Sequence, residues 1–277
     1  MSMSNKNSPG NKIQHSSIHL EYLKGVQRHR IMIKLSQLLV LVGFLLFWEI
    51  AAIFQWIDTF FVSRPTIIFK LILSLIKDGS LFMHTAISVF EAVMGFLIGT
   101  VLGTIIAIML WWSDFVARVL DPYLVVLNAL PKIALGPIVI IWAGAGISGI
   151  IVTALTISIV VTILATYNGF KEVDKEKIKM LEAFGASKLQ ILQKIVFPAS
   201  IPTMINTMKI NIGMAWVGVI VGEFLVSKAG LGYLIVYGGQ VFRLDIVMAG
   251  VIILSICTAL MYQLIACLEN RFLKWKQ

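Results

Sequence analysis

Charge is the scarcest ingredient of this sequence. Asp, Glu, Lys and Arg supply 13% of its 277 residues, against roughly 25% in soluble domains. That deficit excludes a soluble globular fold for the main body of the chain. Cysteine is nearly absent: Cys257 and Cys267 stand ten residues apart in the last apolar run. Two positions so spaced on one helix cannot easily meet, so both read as apolar fillers rather than a disulfide or a metal pair. His84 is the only histidine outside the polar N-terminal segment. An intramembrane enzyme would need a converging nucleophile and base or a set of metal ligands, and the sequence offers neither. Within that polar segment His15 and His19 are spaced i, i+4 but lack a third ligand. A G-x-x-x-x-G-K-[ST] phosphate loop is missing, so the chain does not cradle ATP by that device. The weak ten-residue alternation of a membrane barrel is also missing.

What the sequence does have is long apolar runs. Hydrophobic residues make up 58% of it and the mean hydropathy is +0.91. Backbone polar groups in hydrocarbon must be satisfied within the segment, and a crossing helix needs about 20 apolar residues. Six segments qualify: Leu35–Ile57, Thr85–Trp111, Leu120–Ala143, Ser148–Gly169, Ile205–Val226 and Asp245–Leu268. The fold class is therefore all-α integral membrane with six transmembrane helices. Residues 1–33 read as a cytoplasmic tail, irregular apart from Tyr22–Arg30, and residues 34–277 as one membrane domain. The first apolar run is too long for a signal peptide and lacks a small-residue cleavage site.

The net charge of +9 has no soluble basic face to sit on, so nucleic acid is not an expected partner. Its distribution is informative instead. Sixteen Lys and Arg fall in the N-terminal tail, the second and fourth connections and the C-terminal tail, against five in the other connections. The positive-inside rule then places both termini and the connection Lys171–Thr203 in the cytoplasm.

Gly95, Gly99 and Gly103 recur at four-residue spacing and put a smooth groove on one helix face. Packing within the chain and contact with another subunit both fit that groove. Pro131 and Pro137, with Gly136, should kink or unwind the third segment, because each proline removes a helix hydrogen bond. Irregular backbone at membrane depth is tolerated where it is buried or lines a cavity, so Pro131, Lys132 and Pro137 are candidate pathway residues or a simple structural kink. Glu49, Glu91 and Glu223 are carboxylates in apolar surroundings. Glu223 joins the pathway candidates, and a Glu91–Lys132 pair is conceivable.

The connection Lys171–Thr203 is too long for a turn and too polar for the bilayer. Ile178, Leu181 and Phe184 recur at three-residue spacing on a short helix. Gly185 should end it in a left-handed conformation. Ser187 should cap a second helix with Leu189, Leu192, Ile195 and Val196 on its apolar face, and Pro198 and Pro202 should close the segment before the fifth span. An exposed apolar stripe implies a protein partner, the alternative being a helix lying on the leaflet.

The spacing Gly185, Ile195, Phe197, Pro198 resembles the G-to-P half of the EAA motif of binding-protein-dependent ABC importer permeases. Phe197 stands in place of the usual Leu, and Lys179, Met180 and Leu181 occupy the E-A-A positions. Leu130–Pro137 with Trp142–Gly146 is similar to the nitrate, aliphatic sulfonate and taurine branch. So are His84, Ser88, Gly95 and Gly103, although Glu91 stands where that branch usually has Arg. Gly222-Glu223, Gly230-Leu231-Gly232-Tyr233 and Asp245 continue the likeness.

The resemblance implies the type I ABC importer transmembrane-domain fold and a permease subunit in the bacterial cell membrane, not an enzyme. It implies a second permease subunit forming a homodimer, a pair of cytoplasmic ATPase subunits that hold ATP and Mg, and an extracytoplasmic solute-binding protein. No cofactor is expected in this chain. Glu182, Ala183, Phe184, Gly185, Ala186 and Ser187, supported by Ile195 and Pro198, would dock on the ATPase. The branch implies an aliphatic sulfonate, nitrate or taurine-like anion, with a thiamine precursor or other heterocycle as the alternative. A secondary transporter would instead show internal repeats and paired intramembrane charges, and neither is found.

Overall fold

The computed structural model describes residues 17–272. The His15–His19 pairing lies outside the residues whose side chains are described. The chain divides into two units, residues 1–59 and 60–277. In the first, one 37-residue helix, α1 (Ser17–Ile53), runs without a break from the polar segment into the apolar one. Helix therefore begins well before Tyr22, and its stretch Gly25–Ile53 is long and apolar enough to cross a membrane.

Two helical elements occupy the first connection between apolar segments, which carries no expected helix. A single turn, α2 (Thr59–Val62), is followed by the 13-residue helix α3 (Pro65–Lys77). Pro65 occupies the first helical position, where its missing N–H costs nothing. Ile68 is buried, and α3 packs on two of the long helices, α4 (Ser80–Trp112) and α12 (Leu244–Phe272). At 1.5 Å per residue α3 alone is about 20 Å long, but together with α2 the stretch Thr59–Lys77 is long and apolar enough to cross a membrane.

The third apolar segment is not one straight span. Helix α5 (Asp114–Ala129) starts six residues earlier than expected, with Ser113 capping the Val116 N–H. It stops at Leu130, which is extended because Pro131 follows. A 3-10 turn, Lys132–Leu135, leads into α6 (Gly136–Ala143), where Pro137 sits harmlessly in the first turn. The α5 and α6 arms meet at 90°, the kink that the two prolines demand.

The core is built by α4, α7 (Ile147–Lys171) and α10 (Phe197–Val226). A β-carbon at Gly95 would lie 2.7 Å from Ala154 Cβ, one at Gly99 2.8 Å from Ser158 Oγ, and one at Gly103 2.6 Å from Thr162 Cβ. The glycine stripe of α4 is thus spent inside the chain, on α7. On the other side of α7, a β-carbon at Gly218 would lie 2.3 Å from Ala154 Cα. Ala154 is clasped between two glycines, and side chains at any of these sites would force the helices apart. Asn211 donates to Thr162 Oγ1 across the same contact at 2.6 Å. Ala92, Phe96, Ile212, Trp216 and Val219 are buried in the same apolar cluster.

Candidate functional site

The segment between α7 and α10 begins with α8 (Lys175–Ala183), whose Asp174 caps the Glu176 N–H at 2.9 Å. Gly185 has φ +81°, a conformation that costs L-residues about 1–2 kcal/mol. The Gly185 and Ala186 N–H groups close the helix end on the carbonyls of Glu182 and Leu181. Ser187 then caps α9 (Lys188–Ile191) through a complete capping box: Gln190 N–H meets Ser187 Oγ, and Ser187 N–H meets Gln190 Oε1. The S-x-x-Q pattern is a capping-box signal, and Gln190 is the partner that Ser187 alone does not disclose.

The stripe divides in two. Ile178, Leu181, Ala186 and Ile195 pack with Phe170, Val173, Ile191, Leu192 and Val196 beneath the turn. Phe184 does not join them: it is 81% exposed, and Met180 and Leu189 are half exposed beside it in sequence. Glu182, Ala183 and Ser187 are exposed as well. The turn therefore offers a large aromatic side chain to the outside on a braced support.

Pro198 and Pro202 do not close the segment. A π-helical turn, Leu192–Val196, joins α9 directly to α10, and helix continues from Lys188 to Val226. Pro198 falls in the first turn of α10 and Pro202 inside it. The wider π turn accommodates a chain whose next N–H donors are missing. The loop and the fifth span are one continuous rod.

A second cluster lies between α4, α10 and α11 (Leu231–Gln240). Glu223 is buried and accepts from the Ser88 hydroxyl through Oε1, and from the N–H groups of Gly232 (2.6 Å) and Tyr233 (3.2 Å) through Oε2. Ser88 Oγ in turn accepts from Leu231 N–H at 2.7 Å, and His84 Nδ1 from Gly230 N–H at 2.9 Å. These orphan N–H groups at a helix start favour an anion. Gly230 and Gly232 are required because a β-carbon at either would collide with the Glu223 carboxyl. Glu91, also buried, lies against Glu223. Each buried donor left without its acceptor costs about 1–3 kcal/mol. Glu223→Ala should therefore lower membrane abundance by about tenfold or more, Glu223→Gln by less. Glu91→Gln, which removes one of two facing carboxyls, should leave abundance unchanged. Immunoblots of membranes check all three.

Lys132 does not reach Glu91. Its ammonium donates to the Asn128 carbonyl at 2.8 Å, at the end of α5. Pro131, Lys132 and Pro137 therefore share the α5–α6 corner, whereas Glu223 belongs to the α11 junction.

A bent helix pair, long apolar helices and a braced aromatic turn between two of them describe a polytopic helical membrane protein, and comparison identifies which kind. Residues 99–274 match the family described as binding-protein-dependent transport system inner membrane component, and the chain belongs to that family. It is 31% identical over 230 residues to a putative aliphatic sulfonates transport permease protein of Bacillus subtilis (strain 168), covering 83% of each. It is 30% identical over 203 residues to a formylaminopyrimidine transport permease protein of Halalkalibacterium halodurans, covering 73% of this chain and 81% of the relative. An inward-facing structure of the MetNI methionine ABC transporter superposes with a TM-score of 0.59 at 17% identity, over 73% of this chain and 98% of that one. The fold is that of a type I ABC importer transmembrane domain. The chain is thus a multi-pass permease subunit of an ABC importer, a transport component rather than an enzyme, and it works with an ATPase and a solute-binding protein.

Proposed function

We propose that this subunit imports a small organic anion of the aliphatic sulfonate or taurine type, driven by ATPases that grip the α8–α9 turn. The observation carrying the coupling half of this reading is Phe184, almost fully exposed on a turn held by Gly185 and the Ser187–Gln190 box. Covering such a side chain with a partner removes its apolar area from water and so stabilises the contact. Glu182 to Ser187 would make the contact, and Ile195 and Pro198 would carry it into α10. ATP-driven closure of the partner then moves the permease only to the extent that the turn binds one ATPase state better than the other.

Residues 34–277 act as the translocating domain, paired with a second copy of the same chain. Both termini and the α8–α9 turn face the cytoplasm, a reading supported by the sixteen-to-five split of basic residues. Pro131, Lys132 and Pro137, at the α5–α6 corner, and Glu223 are the candidate pathway residues.

The sulfonate preference rests on the Bacillus subtilis relative. Lys132 lends it little, because its ammonium is already bonded to a carbonyl. The formylaminopyrimidine relative, nearly as similar, supports a second reading in which the solute is a pyrimidine. Uptake into proteoliposomes carrying this chain with its ATPase and solute-binding protein separates the two. An alkanesulfonate should accumulate on addition of ATP, and excess unlabelled pyrimidine should not compete. Accumulation of the pyrimidine instead would overturn the sulfonate assignment while leaving the importer class intact.

A further inference from the structure

The α8–α9 turn is covalently joined to α7 and α10, but its side chains also reach α4. Lys188, the first residue of α9, donates from Nζ to the Trp112 carbonyl at 2.6 Å, across 76 residues of sequence. Trp112 is the last residue of α4, and the Val116 N–H that would otherwise close on its carbonyl turns to Ser113 Oγ. That carbonyl is one of the orphan acceptors at a helix C-terminus, where the backbone dipoles favour a cation. The same ammonium lies 5.6 Å from the centroid of the Trp111 ring and 5.8 Å from that of Trp112, within cation–π range. Three independent attractions therefore converge on one ammonium. Trp111 and Ile108 of α4 continue the contact into the apolar cluster beneath the turn.

The helix so gripped is 33 residues long, about 50 Å at 1.5 Å per residue. At its other end His84 and Ser88 hold the start of α11, and Ser88 donates to Glu223. Between the ends, Gly95, Gly99 and Gly103 lock α4 to α7. We propose that Lys188 is a positioning residue that fastens α9 to α4, so that a displacement of the turn is delivered along α4 to the Glu223 junction. This rests on the reading that the turn docks on the ATPase.

The test uses the whole importer in proteoliposomes and reads solute moved per ATP hydrolysed, together with the amount of ATPase that co-purifies. Lys188→Met keeps the apolar stem and removes the charge. It should retain the ATPase and hydrolysis but lower solute moved per ATP by about fivefold or more, the lower edge of ordinary coupling between sites. Lys188→Arg, which can still bond the carbonyl and stack on the indoles, should recover most of that ratio. An unchanged ratio in Lys188→Met overturns the proposal, as does an Arg variant as uncoupled as the Met one. Loss of the ATPase from Lys188→Met alone also overturns it, because Lys188 would then be part of the docking surface. An unmodified chain that fails to retain the ATPase contradicts the docking reading itself.

Discussion

Gly218→Ala should strip the protein from the membrane. The single added carbon would sit 2.3 Å from Ala154 Cα and 2.9 Å from Ala154 N. Both neighbours are backbone atoms, so no side-chain rotation relieves the clash and α10 must move away from α7. Overpacking of a close-packed interior costs about 1–3 kcal/mol and sometimes more, and here the displaced surface is the most extensive helix contact in the molecule. A drop in abundance of about tenfold is the expected result, since each 1.4 kcal/mol is tenfold in an equilibrium. Gly213→Ala is the control on the same helix. Nothing lies within 4 Å of its added carbon, so the substitution should be neutral or slightly stabilising through helix propensity. Immunoblots of membranes from cells expressing each variant report the difference.

Gly185→Val should have the opposite profile: normal abundance and no uptake. Nothing lies within 4 Å of a β-carbon at Gly185, but φ is +81°, a region that β-branched residues avoid. The strain falls on the exposed turn and adds no collision in the helix core, so the protein stays in the membrane. What the turn loses is the orientation of Phe184 relative to α9. Gly185→Asn, which tolerates left-handed backbone better, should keep a measurable fraction of uptake. ATP-driven uptake normalised to abundance is the readout. Full uptake by the valine variant at normal abundance would remove the turn from the mechanism.

Much of this architecture was legible in the sequence because lipid imposes simple rules. Run length found the long helices, and four-residue glycine spacing found the face of α4 that meets α7. A lone Gly between two apolar stripes marked the left-handed turn at Gly185. The rest has causes that residue spacing does not carry. In α3, Lys70 and Lys77 stand seven residues apart, two turns along one face, so a half-apolar helix looked like a charged loop. Pro198 and Pro202 looked like breaks, but a π turn just upstream takes up the distortion, and no single residue type announces a π turn. Phe184 shares the period of Ile178 and Leu181, yet the helix ends before it, which swings it outward. Glu223 was noticed as a buried charge, but its partners Ser88 and Gly232 lie 135 and 9 residues away. A bond of that separation is set by how α4, α10 and α11 pack, which spacing alone does not encode.

The central claim is that the α8–α9 turn grips an ATPase through Phe184. With Cys257 and Cys267 replaced, Ala183→Cys provides a single thiol beside an intact Phe184 on the exposed turn. Cross-linking in the assembled importer should join that thiol to the ATPase, with a yield that changes when ATP is added. Labelling of the same thiol in intact cells by a membrane-impermeant reagent, with no cross-link to the ATPase, would contradict the claim.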